Sequence, residues 1–291
     1  MNQTNTGAPP VLLTIAGFDP SAGAGIAADL KTFAAHNCYG VAVITALTVQ
    51  STRGVRGVQP VSAEVLRAQL EELVKDVSPA AVKIGMLGTR ANVQVVADLL
   101  EKKKFSHVVL DPVLRSTSGM DLLDAGGVKE LSRRLLSLAT VITPNIAEAA
   151  TLSGMEIKGL EEMKAAAQKL REMGARAVVI TGGDLEKPLD LLYDGTTFTP
   201  FGSDRVKSEN THGTGCTFSS AIAANLAAGR QLADAVMLAK AYVGRAIEKG
   251  YAIGKGKGPL NHFYRQQNGQ QVHSHSIHVP EEGPAHAISH F

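Results

Sequence analysis

The run Asn210-Thr211-His212-Gly213-Thr214-Gly215-Cys216-Thr217 combines a glycine-rich turn with a nucleophilic sulfur, just ahead of a strongly helical stretch, Phe218 to Arg230. A turn that feeds a helix N-terminus aims several backbone N–H groups at one point, and the helix dipole makes that point favourable for an anion. The N–H groups of Gly213, Thr214, Gly215 and Cys216 are therefore candidates for holding the charge that develops on a transferred phosphoryl group. The same composition also serves a plainer purpose, letting a buried Ala-rich helix begin. The choice between the two readings depends on which other residues the fold brings to this turn.

Short apolar runs predict the strands that do so: Val11 to Ala16, Val41 to Leu47, Ala80 to Ile84, Val108 to Leu110, Thr140 to Ile142 and Ala177 to Ile180. Helical patterns separate them, at about Ile26–His36, from Ser62 through Val74, Asn92–Lys103, Leu122–Leu138 and Leu160–Met173, with a last helix over Leu232–Lys249. Solid apolar strands alternating with helices specify an α/β fold, a mostly parallel sheet covered on both faces. Two β segments around Asp194-Gly195 predict an antiparallel hairpin at one edge. The stretch Thr48 to Pro60 reads as a connection.

In such sheets ligands sit outside the carboxyl ends of the strands. Here those ends carry Gly17 and Asp19, Gln50, Gly85-Met86, Asp111, Asn145 with Glu148, and Thr181-Gly182-Gly183. Carboxylates gathered beside a phosphate cradle call for a divalent metal between the opposing charges; Asp111 and Glu148 are the candidates, with Asn145 either near them or only capping its helix. Two familiar nucleotide motifs fail. Gly23-Ala24-Gly25-Ile26-Ala27-Ala28 fits a dinucleotide fingerprint, but that motif needs an acidic residue about 20 positions on, and none stands between Asp29 and Glu64. Neither glycine-rich stretch continues into the Gly-Lys-Ser/Thr of a P-loop.

Bulk properties narrow the partners. With a net charge of +2 and 4% aromatic residues over 291 positions, nothing favours nucleic acid. There is no apolar run of membrane-spanning length and no signal peptide, so a cytoplasmic protein is expected. Cys38 and Cys216 have no metal-ligand spacing. The domain layout expected is a loose arm over 1–10, one domain over 11–260, and a weakly ordered, His-containing polar tail over 261–291.

Taken in order, Thr14 to Ile26, Ala28 to Thr32, Val43 to Gln50, Val82 to Leu87, Asp111-Pro112-Val113, Thr143-Pro144-Asn145 and Asn210 to Thr217 resemble the ribokinase-like superfamily. Within it they are similar to the hydroxymethylpyrimidine/phosphomethylpyrimidine kinases of thiamine biosynthesis, over about Val11 to Ile253. The resemblance implies a ribokinase-like fold, ATP with Mg²⁺, γ-phosphoryl transfer to a pyrimidine hydroxymethyl group, and a second transfer onto the monophosphate. It also implies a homodimer. Cys216 stands where the wider superfamily usually carries an aspartate base, and Asp29, Asn145, Thr181, Gly183 and Thr211 are expected on the nucleotide side. Phe18 stands where the family commonly has Ser, and Thr181 where many relatives have Lys.

Chemistry then suggests roles. A thiol at a helix N-terminus is expected to have a depressed pKa, so Cys216 is expected to accept the acceptor hydroxyl's proton or to position it. A loose transition state asks little of the base. Gln50 offers a carbonyl beside an NH₂, complementary to the amine and ring nitrogen of a 4-aminopyrimidine, as Gln is to adenine. Gly17, Asp19 and Met86 complete the expected acceptor site. The alternatives are a kinase of vitamin B6 alcohols, which also carry a ring hydroxymethyl group, and a pyrimidine-binding sensor that kept the fold without the chemistry.

Overall fold

The computed structural model describes residues 7–183 and 185–267. Its sheet runs β3-β2-β1-β4-β5-β6-β7-β8-β9, with β1 Val11–Phe18, β2 Tyr39–Ser51, β3 Gly54–Pro60, β4 Ala81–Ile84, β5 Val108–Leu110, β6 Val141–Ile142, β7 Val178–Gly182, β8 Leu189–Tyr193 and β9 Phe198–Gly202. From β2 to β7 neighbouring strands are parallel; β3 and the β8–β9 pair are antiparallel edges. The fold is thus the mostly parallel α/β sheet with antiparallel edges that the apolar runs predict.

The connection expected over Thr48–Pro60 is instead the end of β2 and all of β3. Leu47 and Val49 alternate with Thr48 and Gln50, but here the apolar side chains are the exposed ones, so the segment has no solid buried run of the kind that marks the other strands. Helices fill both faces. On one lie α2 Ala63–Asp76, α3 Arg90–Lys102, α4 Ala125–Glu130, continued by a π segment Leu131–Leu135 and α5 Leu136–Leu138, then α6 Ile146–Ser153 and α7 Leu160–Glu172. On the other lie α1 Gly25–Ala35, α8 Thr214–Ala227 and α9 Leu232–Glu248.

Strand alternation feeds the two cores. Leu13, Val82, Ile84, Val108 and Leu110 pack toward the α2–α7 side. Leu12, Ala81, Val109 and Val141 pack toward α1, α8 and α9. On this second side Thr14 and Lys83 replace apolar residues, and both are fully buried. That substitution matters at the site.

The domain boundary drawn at 260 falls short. Asn261 and His262 are buried, and a final helix, α10 Tyr264–Gln267, follows. Tyr242 of α9 donates to the His262 carbonyl at 2.7 Å, and the His262 Nε2 lies 3.1 Å from the Thr217 hydroxyl. The rest of the expected tail lies outside the described residues, as do residues 1–6 of the arm.

Burial pushes the His262 pKa down to about 4, with nearby Lys31 adding to the effect. The unfolded chain protonates this ring near pH 6.5, whereas the folded chain resists until about pH 4. Stability is therefore full above pH 6.5 and falls as pH drops through that window, by roughly 3 kcal/mol at most. His262→Gln should flatten this dependence. Urea midpoints at pH 7.5 and 4.5, in both proteins, measure it; an equal drop in wild type and variant contradicts the assignment.

Candidate active site

A cleft of about 500 Å³ opens at the carboxyl ends of the strands. Its floor is the start of α8. Gly213 is the N-cap of that helix at φ 86°, and a Cβ there would overlap the Gly23 carbonyl oxygen. Only glycine adopts this turn without strain, and the turn presents the first N–H groups of α8 to the cleft. The helix begins at Thr214, four residues before the apolar pattern shows it, so Thr214, Gly215 and Cys216 form its first turn.

Gly17, Asp19, Gln50, Met86, Asp111, Asn145, Glu148, Thr181, Thr211 and the Gly213–Cys216 turn all line this cleft. Met86 lies directly over Gly17: a Cβ on Gly17 would stand 2.9 Å from the Met86 sulfur. Asp19 is almost wholly buried. It accepts from Ser21 N (2.8 Å), Ser21 Oγ (2.7 Å), Ala24 N (2.9 Å) and His212 Nε2 (2.7 Å). Burial raises its pKa, but the bonds from His212 and Ser21 outweigh that and hold it below the ordinary carboxylate range. Asp19 therefore ties the loop after β1 to the glycine turn. Gln50 extends the same network, with Nε2 3.3 Å from His212 Nε2 and Oε1 3.1 Å from the Thr48 hydroxyl.

Asp29 and Gly183 fall elsewhere. Asp29 is buried beneath the cleft and accepts from Thr14 Oγ1 (2.6 Å), Ser220 Oγ (2.7 Å) and, with both oxygens, Lys83 Nζ (3.0 Å each). A carboxylate so fully engaged holds α1, α8 and the sheet together and does not face the cleft. Gly183 sits on an exposed turn after β7, its carbonyl accepting from Arg205.

The thiol also departs from expectation. Burial pushes Cys216 up to about 12; Lys83 opposes the shift, while Asp29 and Asp111 add to it. The helix dipole is one of several influences on this sulfur. The cleft floor half-buries Cys216 and sets the Asp29 and Asp111 carboxylates near its sulfur, so the neutral thiol is favoured.

On the far wall, Asn145 and Glu148 form a capping box at α6. Asn145 Oδ1 accepts from Glu148 N (2.9 Å) and Glu148 Oε2 from Asn145 N (3.0 Å). Asp111 accepts from Ser219 Oγ at 3.1 Å. Burial raises the pKa of both Asp111 and Glu148; Asp29 adds to the rise at Asp111 and Asp111 to that at Glu148, and Lys83 opposes it only at Asp111. Two buried carboxylates raised in this way lack cation charge. Thr143 lines the same wall, and its buried hydroxyl is one of the side-chain atoms without a hydrogen-bond partner among the described residues. A polar group facing a cleft in this state suits a bound ligand or its hydration. No group of three or more His, Cys, Asp or Glu forms a metal cage among the described residues.

Sequence reasoning missed Lys83 and His212 as working residues. Lys83 left a visible signal, a charge in the four-residue buried strand Ala81–Ile84. His212 left none, since its partners lie in distant segments.

A Rossmann-like sheet with an anion-binding helix start, an acceptor pocket and buried carboxylates at its strand ends defines a kinase of the ribokinase-like class. Residues 19–261 match the sequence profile of phosphomethylpyrimidine kinase. The chain is 46% identical over 260 residues to the hydroxymethylpyrimidine/phosphomethylpyrimidine kinase of Rhizobium meliloti (strain 1021), covering 88% of this chain and 97% of that one. Among solved structures it is similar to the pyridoxal kinase of Staphylococcus aureus in complex with AMP-PCP and pyridoxal, with a TM-score of 0.81 and 38% identity over 88% of this chain and 94% of that one. It is also similar to the phosphomethylpyrimidine kinase of Clostridium difficile 630, with a TM-score of 0.73 and 38% identity over 82% and 99%. The chain belongs to the phosphomethylpyrimidine kinase family. No helix of the described residues is long and apolar enough to cross a membrane.

Proposed function

We propose that this protein uses ATP to phosphorylate 4-amino-5-hydroxymethyl-2-methylpyrimidine and then its monophosphate, yielding the diphosphate for thiamine biosynthesis. The observation that carries the reading is the convergence in one cleft of the Gly213–Cys216 turn, Asp111, Glu148 and Gln50. The kinship with hydroxymethylpyrimidine/phosphomethylpyrimidine kinases supports it.

The chemistry follows from placement. Phosphoryl transfer is mostly positioning and charge neutralisation. The N–H groups of Gly213, Gly215 and Cys216 stabilise the oxygens of the transferred group as charge develops; the Thr214 N–H, expected among them, instead donates to the Thr211 carbonyl at 3.3 Å and closes the turn. Thr211, Asn145 and Thr181 bind the nucleotide from the wall opposite the acceptor. Mg²⁺, held by Asp111 and Glu148 together with phosphate oxygens and water, would neutralise charge on the phosphates; hard cations of this size take one or two carboxylates in such sites. The raised carboxylates and the unpartnered Thr143 hydroxyl support that fit. Gln50 binds the aminopyrimidine edge, Gly17 and Met86 pack the ring, and Asp19 fixes the loop that carries them. Cys216 hydrogen-bonds the acceptor oxygen. A cytoplasmic homodimer belongs to the same reading; exposed Leu47 and Val49 on the projecting hairpin support the dimer.

A product assay that resolves monophosphate from diphosphate tests the reaction. The kinship with pyridoxal kinases favours a second activity, on vitamin B6 alcohols, in the same cleft. Gln50 separates the two. A paired contact of this kind is worth about 1–3 kcal/mol, so Gln50→Ala should raise KM for the pyrimidine alcohol about 10- to 100-fold and affect a pyridine alcohol less. Unchanged pyrimidine turnover in the variant would remove Gln50 from recognition.

A further inference from the structure

The second acceptor differs from the first by about two negative charges, which a phosphate monoester carries near neutral pH. It enters a cleft already lined by Asp19, Asp111 and Glu148, beside the polyphosphate of ATP. Something on the acceptor side must offset that charge. The cations that line the cleft are few. Lys83 is committed to Asp29 and Arg115 to Asp121, the latter at 2.7 Å. Arg53 and Lys257 also line it, both are otherwise exposed, and among the described residues neither side chain has an ion pair.

These two residues stand 204 positions apart, yet the fold joins their loops. Arg53 lies in the turn between β2 and β3. Lys257 lies in the glycine-rich segment 254–258. Lys257 N donates to the Thr52 carbonyl at 3.0 Å, and Gly256 N donates to Thr52 Oγ1 at 3.2 Å. A Cβ on Gly256 would overlap the Thr52 carbonyl oxygen, so the close approach requires glycine. The next residue, Gly258, accepts from His212 N at 3.1 Å, immediately before the Gly213 turn. Lys257 is thus fixed at once to the hairpin tip and to the transfer point, on the side where Gln50 sits.

We propose that Arg53 and Lys257 form a cationic clamp for the phosphate of the monophosphate acceptor, and so determine the second phosphorylation. This rests on the kinase reading given above. In that step a non-bridging oxygen of the acceptor phosphate forms a bond to the γ-phosphorus of ATP. The bond from that phosphorus to the β–γ bridging oxygen breaks, and ADP leaves with the electron pair. As a dianion the acceptor has no proton to lose, so the demand at this step is charge compensation. The alcohol acceptor makes the opposite demand, losing a proton and bringing no charge.

The test is steady-state turnover of the two acceptors, each with saturating Mg²⁺-ATP, in wild type, Arg53→Gln, Lys257→Gln and the double variant. Lys255→Gln serves as a control from the same loop that does not line the cleft. The expected result is a shift of at least about tenfold in the ratio of kcat/KM values, away from the monophosphate and toward the alcohol, in the double variant. Arg53→Lys should recover part of it. Raising salt from 0.05 to 0.5 M should shift the wild-type ratio in the same direction by screening. A ratio that stays constant, whether both activities fall or neither does, overturns the clamp; equal losses with a raised KM for ATP would assign the cations to the nucleotide. A wild type that turns over the alcohol but not the monophosphate overturns the clamp and the second phosphorylation while leaving the first standing. A wild type that turns over neither overturns the kinase reading and the clamp with it.

Discussion

In a Cys216→Ala variant, kcat for the pyrimidine alcohol should fall about a hundredfold, the cost of losing alignment of the reacting oxygen, while KM for ATP stays within about twofold. The asymmetry follows from position. Cys216 is in the first turn of α8, where the Gly25 N–H also points at its sulfur, and the thiol lines the cleft. It is a neutral thiol, because burial among Asp29 and Asp111 pushes it up to about 12 despite Lys83. A neutral thiol does not take the alcohol's proton ahead of bond formation; it holds the oxygen in line, and the proton leaves late, as a loose transition state allows. Cys216→Ser keeps a group that can make this hydrogen bond and should retain more activity than alanine. Single-turnover measurements with both acceptors sharpen the test. If kcat is unchanged in Cys216→Ala, the cysteine merely packs at a helix start.

Lys83→Met should cost about 3–5 kcal/mol of stability, because it leaves Asp29 charged and buried without its counter-ion. For a chain of this size that corresponds to a fall in Tm on the order of 10 °C. Lys83 is fully buried, and although burial works against its charge, Asp29, with Asp111 beside it, holds its pKa above the ordinary lysine value. Asp29 in turn bonds Thr14 on β1 and Ser220 on α8. One ion pair therefore joins β1, β4, α1 and α8 beneath the glycine turn. The double variant Lys83→Met/Asp29→Asn removes both charges while leaving hydrogen-bonding groups for Thr14 and Ser220, and it should recover most of the lost Tm. If the double variant is as unstable as the single one, packing around the lysine stem matters more than the charge. Activity assayed well below the lower Tm gives a second readout. Without Lys83 the thiol of Cys216 loses the positive charge that favours its ionisation.

Much of this was written in local sequence. The alternation of Leu12 with Leu13 and of Val109 with Val108 and Leu110 places each strand between two helical layers. Ser62 and Asn145 announce the helices they cap. The Asn210–Thr217 turn was legible as an anion nest because φ above zero, N–H exposure and helix polarity are local properties. Thirteen of the residues expected at the site line one cleft; parallel topology sends the loops that follow parallel strands to one edge, and the segment after the antiparallel β9 brings Thr211 and the Gly213–Cys216 turn to it.

What the sequence alone could not decide was whatever depends on neighbours far along the chain. Asp29 reads as a residue on the nucleotide side of the site; only the sheet brings Lys83 to it and holds it beneath the cleft. Cys216 reads as a thiol activated by a helix dipole; only the walls that half-bury it, with Asp29 and Asp111 nearby, reverse the sign of its shift. The hairpin of β2 and β3 reads as a loop, because its identity as strand comes from hydrogen bonds between its two arms and not from an apolar face. Nothing local in the sequence pairs Arg53 with Lys257; the fold does so by bonding Thr52 to both Gly256 and Lys257. Periodicity and turn chemistry are local and survive in one dimension. Desolvation and charge pairing are sums over space, and they acquire a value only when the chain has closed around them.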